Sequence, residues 1–282
     1  MQHEGTFLNW AQQPLFYRHW PPQAEETKAV VVLIHGLGGH SGLFQPVAEV
    51  LAPLGYDLWA LDLRGNGRSP GQRGHVNRWA EYREDVAAFV DFIAPQAPDV
   101  PWFLLGHSVG GAIALDCVLR SPERWQGVIV SAPTLGKVGV SPLRFAIARL
   151  LSQLWPTFSL STGVKVEAAA RDPAVLARQQ QDTLRHGLGS ARLATEYLAA
   201  VDWLQAHAHT LSVPLLMLQG GQDCVAPIDT SRHFFDRLPP HLTTWRDYPE
   251  SYHEIYEDLD APLVLADLAD WLNSHLLRST PT

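Results

Sequence analysis

The sequence predicts an α/β fold, a mostly parallel central sheet flanked by helices with an inserted helical cap. Three observations predict it. Short apolar runs alternate with stretches of helical spacing. The runs are continuously hydrophobic rather than alternating, as strands buried on both faces must be. The alternation stops near Pro133 and resumes near Pro214.

Residues 3–8 and 14–20 bracket Ala11-Gln12-Gln13-Pro14 and read as an opening hairpin, closed off by Pro21-Pro22. Residues 29–34 (AVVVLI) form a β-branched run that ends in the glycine-rich His35-Gly36-Leu37-Gly38-Gly39. A helix over about 43–53 is stopped by Pro53 and Gly55, and residues 57–61 give the next strand. The long loop Arg64-Gly65-Asn66-Gly67-Arg68-Ser69-Pro70-Gly71 follows. It lacks the Lys-Ser/Thr pair of a phosphate-binding loop and is expected to be a structural loop beside the site. Then come a helix over 78–93, a strand over 102–105, a helix over 109–120 stopped before Ser121-Pro122, and a strand over 127–130. Residues 134–211 contain no convincing buried strand and read as several helices punctuated by Pro142, Pro156 and Pro173. Strand 214–218, helix 227–237, strand 243–248 and helix 261–277 complete the pattern. Residues 1–133 and 212–282 should therefore form one core and 134–211 a cap inserted between two of its strands.

Composition narrows the function classes. Hydrophobic residues make up 46% of the 282 and charged residues 18%, a globular balance with enough apolar material for a sizeable core. The net charge of −8, with 21 basic against 29 acidic residues and no basic run, argues against a nucleic-acid partner. An anionic substrate would need a local basic pocket, and none stands out. Cys117 and Cys224 are too few for a disulfide framework and read as free thiols. The first residues lack a basic stretch followed by an apolar one, and no run of about 18 apolar residues is present. The expected location is cytoplasmic, with peripheral contact to a membrane through the cap.

The chemistry concentrates on Gly106-His107-Ser108-Val109-Gly110, where strand 102–105 meets helix 109–120. In that context a G-x-S-x-G sequence lifts the serine hydroxyl above the sheet edge on a strained turn. Serine needs a neighbouring base, and the base needs an orienting acid. Downstream, Asp223 follows strand 214–218 and His253 follows strand 243–248, both at the strand ends where open α/β sheets form their sites. The rivals are weaker. Glu250 and Glu254 adjoin His253, where a charge is usually solvated, and His241 lies at the wrong end of its strand. His207 and His209 fall in the cap, and the side chain of His107 should diverge from that of Ser108 on a tight turn. Two backbone donors are expected for an oxyanion: the N–H of Val109 at the helix N-terminus and that of Leu37 in the loop after strand 29–34. No cofactor and no metal is called for.

His35-Gly36-Leu37-Gly38-Gly39-His40-Ser41, Asp62-Leu63-Arg64-Gly65-Asn66-Gly67-Arg68-Ser69-Pro70-Gly71, Gly106-His107-Ser108-Val109-Gly110-Gly111 and Gly220-Gly221-Gln222-Asp223 together resemble the monoacylglycerol lipases and lysophospholipases of the α/β-hydrolase superfamily. The likeness runs over nearly the whole chain and is weakest in the cap. It implies the α/β-hydrolase fold and hydrolysis of single-chain acyl esters under a cap with an apolar rim. It places the triad on Ser108, Asp223 and His253 and the oxyanion donors on Leu37 and Val109. Two positions depart from the family: Asn66, where relatives often carry histidine, and Leu37, where its lipases carry alanine. The larger Leu37 would reshape the acyl entrance.

In the cap, Leu143, Ile147, Leu150, Leu151 and Leu154 recur at one-sided helical spacing. Two readings stay open: the stripe packs the cap onto the core, or part of it lines an acyl tunnel or touches a lipid surface. A small-ester esterase, thioesterase or peptidase would use the same triad, whereas a dehalogenase or epoxide hydrolase would need aspartate at position 108. A ligand-binding protein built on the same scaffold would ordinarily show a damaged triad, and none of the three members is missing here.

Overall fold

The structure, a computed structural model, describes residues 2–97, 99–136 and 142–276, with only the backbone of 142–145. Strands β1 (His3–Leu8) and β2 (Pro14–Trp20) form the expected antiparallel hairpin at one sheet edge. Then follow β3 (Ala29–Ile34), α1 (Gln45–Leu51), β4 (Tyr56–Leu61), α2 (Ala80–Ile93), β5 (Trp102–His107), α3 (Val109–Arg120) and β6 (Gly127–Ser131). The chain then leaves the sheet through α4 (Pro142–Leu154), β7 (Ser159–Ser161), α5 (Pro173–Gln181), β8 (Leu188–Ser190) and α6 (Ala191–His207). It returns with β9 (Leu215–Gly220), α7 (Ile228–Phe235), β10 (Thr243–Tyr248) and α8 (Ala261–Ser274). The main sheet has eight strands in the order β1-β2-β4-β3-β5-β6-β9-β10, parallel from β4 to β10. The expected α/β class and mostly parallel sheet are those observed.

The apolar runs explain the layering. Side chains alternate across a strand, so β3 sends Val30, Val32 and Ile34 to one face and Ala29, Val31 and Leu33 to the other. The first set packs with Tyr82, Val86 and Phe89 of α2 and with Ile113 and Leu115 of α3. The second packs with Val47 and Leu51 of α1 and with Val264, Leu268 and Leu272 of α8. Every residue of β3, β4, β6 and β9 is buried, which is why these strands carry no polar alternation.

Between β6 and β9 the helices pack differently. Helix α6 lies against α3 and α4, with Leu193, Ala200 and Leu204 joining the main core. Ser152 of α4 is hydrogen-bonded to Thr195 of α6 at 2.8 Å, and Arg192 Nη2 donates to the Ser152 carbonyl at 2.7 Å. Strands β7 and β8 pair as a separate antiparallel ribbon of three residues each. Cys117 is buried and Cys224 exposed, and both are free.

Candidate active site

Ser108 stands between β5 and α3 with φ 56° and ψ −121°. A non-glycine residue held there costs about 1–3 kcal/mol and persists only where its surroundings over-determine it. Here they do. Ser108 N donates to the Ser131 carbonyl at 2.9 Å, and the Ser108 carbonyl accepts from Gly111 N at 3.0 Å and Thr134 N at 3.2 Å. Gly110 lets α3 start this close to the sheet, because a Cβ there would lie 2.2 Å from the Ile34 carbonyl oxygen.

The loops after β5, β9 and β10 bring three side chains together. His253 Nε2 is 2.9 Å from Ser108 Oγ, and His253 Nδ1 is 2.7 Å from Asp223 Oδ2. The other Asp223 oxygen accepts from Val225 N and Ala226 N, each at 2.8 Å, and Gln219 Nε2 donates to Oδ2 at 3.3 Å. The carboxylate is thus fixed with one oxygen on the imidazole, which makes Nδ1 the protonated nitrogen and leaves Nε2 to accept from the serine. All three residues are 6–7% exposed. Burial alone would lower the His253 pKa, but Asp223, with Glu254 behind it, outweighs burial and leaves it raised above the ordinary histidine value.

His107 turns away from Ser108, as the tight turn requires. Its Nδ1 is 3.0 Å from Ser131 Oγ, and its Nε2 lies 3.2 Å from Glu254 Oε2. Glu254 corrects the expectation of a solvated charge: its side chain is 12% exposed and its second oxygen binds Arg185 Nη2 at 3.0 Å. Burial would raise its pKa, but His107 and Arg185 prevail and hold the carboxyl well below its usual range. Arg185 lies 69 residues away in the chain, so sequence proximity to His253 gave no sign of this pairing.

Ser108 and His253 open into a cavity of about 1020 Å³. Leu37 and Val109 stand on its wall beside Ser108, and Ile147 and Leu151 line it from α4. Leu150 and Leu154, read with them as one stripe, are absent from the wall and are 56% and 75% exposed. The Leu143 side chain lies outside the described residues. Phe158, Leu160 and Val164 add apolar surface around β7, and Arg185, His186 and Asp182 bring polar groups that the sequence did not single out. The loop 64–71 is a structural loop: Arg64 is clamped by Asp85 at 2.6 Å and Glu81 at 2.8 Å, and it does not line the cavity.

Such a sheet, with an elbow after its fifth strand, is that of an α/β hydrolase. The solved structure of a monoacylglycerol lipase from Paleococcus ferrophilus superposes with a TM-score of 0.85 at 29% identity, covering 93% of this chain and 99% of that one. The serine aminopeptidase S33 family matches residues 25–260. A monoacylglycerol lipase from Mycolicibacterium smegmatis is 33% identical over 97% of this chain and 98% of its own, and the phospholipase YtpA of Bacillus subtilis is 30% identical over 85% and 93%. The chain belongs to this family, among its monoacylglycerol lipase-like α/β hydrolases, as the motifs in its loops had indicated. Among the described residues no helix is long and apolar enough to cross a membrane.

Proposed function

We propose that this chain hydrolyses carboxylic esters of single-chain lipids, monoacylglycerols or lysophospholipids, through Ser108, His253 and Asp223 and an acyl-enzyme intermediate. The observation that carries the reading is the unbroken chain of hydrogen bonds from Ser108 Oγ through His253 to Asp223 at the floor of a cavity with apolar walls. The named activities of the mycobacterial and Bacillus relatives favour lipid esters over other acyl substrates.

Ser108 Oγ attacks the ester carbonyl while His253 Nε2 takes its proton. The carbonyl electron pair becomes an oxyanion, received by the N–H groups of Leu37 and Val109. The intermediate collapses, the C–O bond to the alcohol breaks, and His253 returns the proton to the departing oxygen. A water then repeats the sequence on the acyl-serine and releases the fatty acid. Asp223 holds the imidazole in the required tautomer and stabilises the imidazolium. Residues 134–211 act as a lid, lending Ile147 and Leu151 to the acyl wall and presenting Leu150 and Leu154 to a lipid surface.

Ser108→Ala tests the proposal. It should fold as the parent does, lose labelling by a fluorophosphonate, and lose monoacylglycerol hydrolysis roughly a millionfold, the scale on which deletion of a triad serine acts elsewhere. A folded variant with near wild-type turnover would refute it.

A further inference from the structure

The loop bearing Leu37 is held from behind by a contact between core and cap that the reaction described above does not use. Asn66 is fully buried and is not on the cavity wall, so it cannot touch a substrate. Its Nδ2 donates to the Arg64 carbonyl at 2.9 Å, which fixes the amide and aims Oδ1 at the neighbouring loop. Oδ1 accepts from Gly38 N at 2.9 Å, one residue beyond Leu37. The same oxygen lies 2.9 Å from His186 Nε2, on the cap segment between α5 and β8. The His186 main chain closes the other side: its N–H donates to the Gly38 carbonyl at 3.1 Å. Gly38 is thereby held at both its N–H and its C=O. Its φ of 72° requires glycine, and a Cβ there would lie 1.8 Å from the His186 carbonyl oxygen.

We infer that Asn66 and His186 are positioning residues for hydrolysis, setting the direction of the Leu37 amide through Gly38. The inference rests on the proposed role of Leu37 as an oxyanion donor. An oxyanion donor acts only within a few tenths of an ångström of its target, and a misplacement of about 1 Å can cost about a hundredfold in rate. The Leu37 N–H lies in the planar peptide that joins Gly36 to Leu37, whose carbonyl accepts from Gly39 N at 3.1 Å, so with Gly38 held on the other side only the φ and ψ of Leu37 remain to swing the donor.

Both ring nitrogens of His186 are committed. Nδ1 accepts from Leu188 N at 3.2 Å, so Nε2 must carry the proton that Asn66 Oδ1 receives. Burial, with Arg73 nearby, lowers the His186 pKa and favours this neutral form. A second pin is built alike a few residues away. His40 Nδ1 accepts from Gly42 N at 3.1 Å, leaving His40 Nε2 to donate to cap residue Asp182 at 2.7 Å. The same segment of cap thus grips the Leu37 loop at Gly38 and at His40.

The test uses a soluble ester for turnover and an alkyl trifluoromethyl ketone as a mimic of the tetrahedral state. Ser108 Oγ adds to the ketone carbonyl, His253 takes the proton, and the carbonyl electron pair becomes a stable oxyanion with nothing leaving. Asn66→Leu should lower kcat and ketone affinity in parallel by about ten- to a hundredfold, with KM within about threefold of the parent. Should Asn66→Leu not fold, His186→Phe and His186→Gln supply the same measurement. The phenylalanine, which lacks a side-chain donor, should show a smaller parallel loss, and the glutamine, which keeps one, should recover most of it. Kcat and ketone affinity within threefold of the parent would overturn the inference, as would a loss confined to KM or melting temperature. A parent enzyme that the ketone fails to inhibit would bring down the proposed reaction and this inference together. A parent inhibited normally beside a variant inhibited equally well brings down the inference alone.

Discussion

His253 has to be neutral to take a proton from Ser108, and the groups facing it decide the pH at which it becomes so. Asp223 and Glu254 favour the charged imidazole, while burial and Arg185 oppose it, and the balance lies above the ordinary histidine value of about 6.5. On the proposed mechanism kcat/KM should fall as the pH drops through this raised pKa, along a single-proton limb with its midpoint above ~6.5. Asp223→Asn removes the larger favourable charge, so its limb should move to lower pH while the rate falls by about 10⁴-fold. Glu254→Gln should move the limb the same way with a far smaller loss of rate. A limb that stays in place in Asp223→Asn, or a more damaging Glu254→Gln, would transfer the orienting role to Glu254. The three residues of this array were legible in the sequence because each follows a recognisable strand and their order along the chain is the one the chemistry of this fold uses. Asn66, Asp182, Arg185 and His186 were not. Their contacts span 28 residues for Asn66 with Gly38 and 142 for Asp182 with His40, and no local pattern records how such distant segments come to rest on one another.

Whole elements differ in the same way. The core strands were readable to within a residue or two, because burial on both faces leaves uninterrupted runs such as Ala29–Ile34. The ribbon of β7 and β8 left no such trace: its strands have three residues each and only Ser190 of the six is buried. Helix α4 shows what periodicity can and cannot say. Its stripe has helical spacing, yet the structure divides it: Ile147 and Leu151 line the cavity, Ile147 with 49% of its surface still exposed, whereas Leu150 and Leu154 are exposed and off the wall. A one-sided stripe establishes that a face is apolar without establishing what covers each part of it. The division makes a prediction on the lid proposal. Leu151 is half-buried on the cavity wall, and an acyl chain laid against it would cover the rest, so Leu151→Ser should reduce kcat/KM on long-chain esters by about tenfold and should spare acetate and butyrate esters. The pair Leu150→Ser and Leu154→Ser should leave turnover of soluble esters unchanged and weaken adsorption to phosphatidylcholine vesicles by about tenfold or more in a sedimentation assay. Unchanged adsorption by the paired variant would remove the lipid-surface role from α4.

At the scale of the molecule, the sheet and the inserted segment contribute different parts of one cavity. Ser108, His253, Asp223 and the Leu37 loop belong to the strand ends of the sheet, and a large share of the apolar wall comes from α4, β7 and α6. On the proposed reading a short ester needs little beyond the core, whereas a long acyl chain also buries its methylenes against Leu151, Leu160, Val164 and Leu193, which line the cavity. Each methylene moved from water to such a wall gains about 0.8 kcal/mol. If that gain is realised in the transition state, kcat/KM should rise by about fourfold per added methylene. The rise should continue until the chain fills the cavity of about 1020 Å³ and then level off. A series of p-nitrophenyl esters from acetate upward, assayed below their critical micelle concentrations, measures the slope directly. Leu151→Ser should lower the plateau while leaving the acetate rate where it was, because the core alone serves that substrate. A flat or falling profile from acetate upward would mean that the cavity does not hold an acyl chain. The same Ser108, His253 and Asp223 would then be those of a small-ester esterase rather than of an enzyme for single-chain lipids.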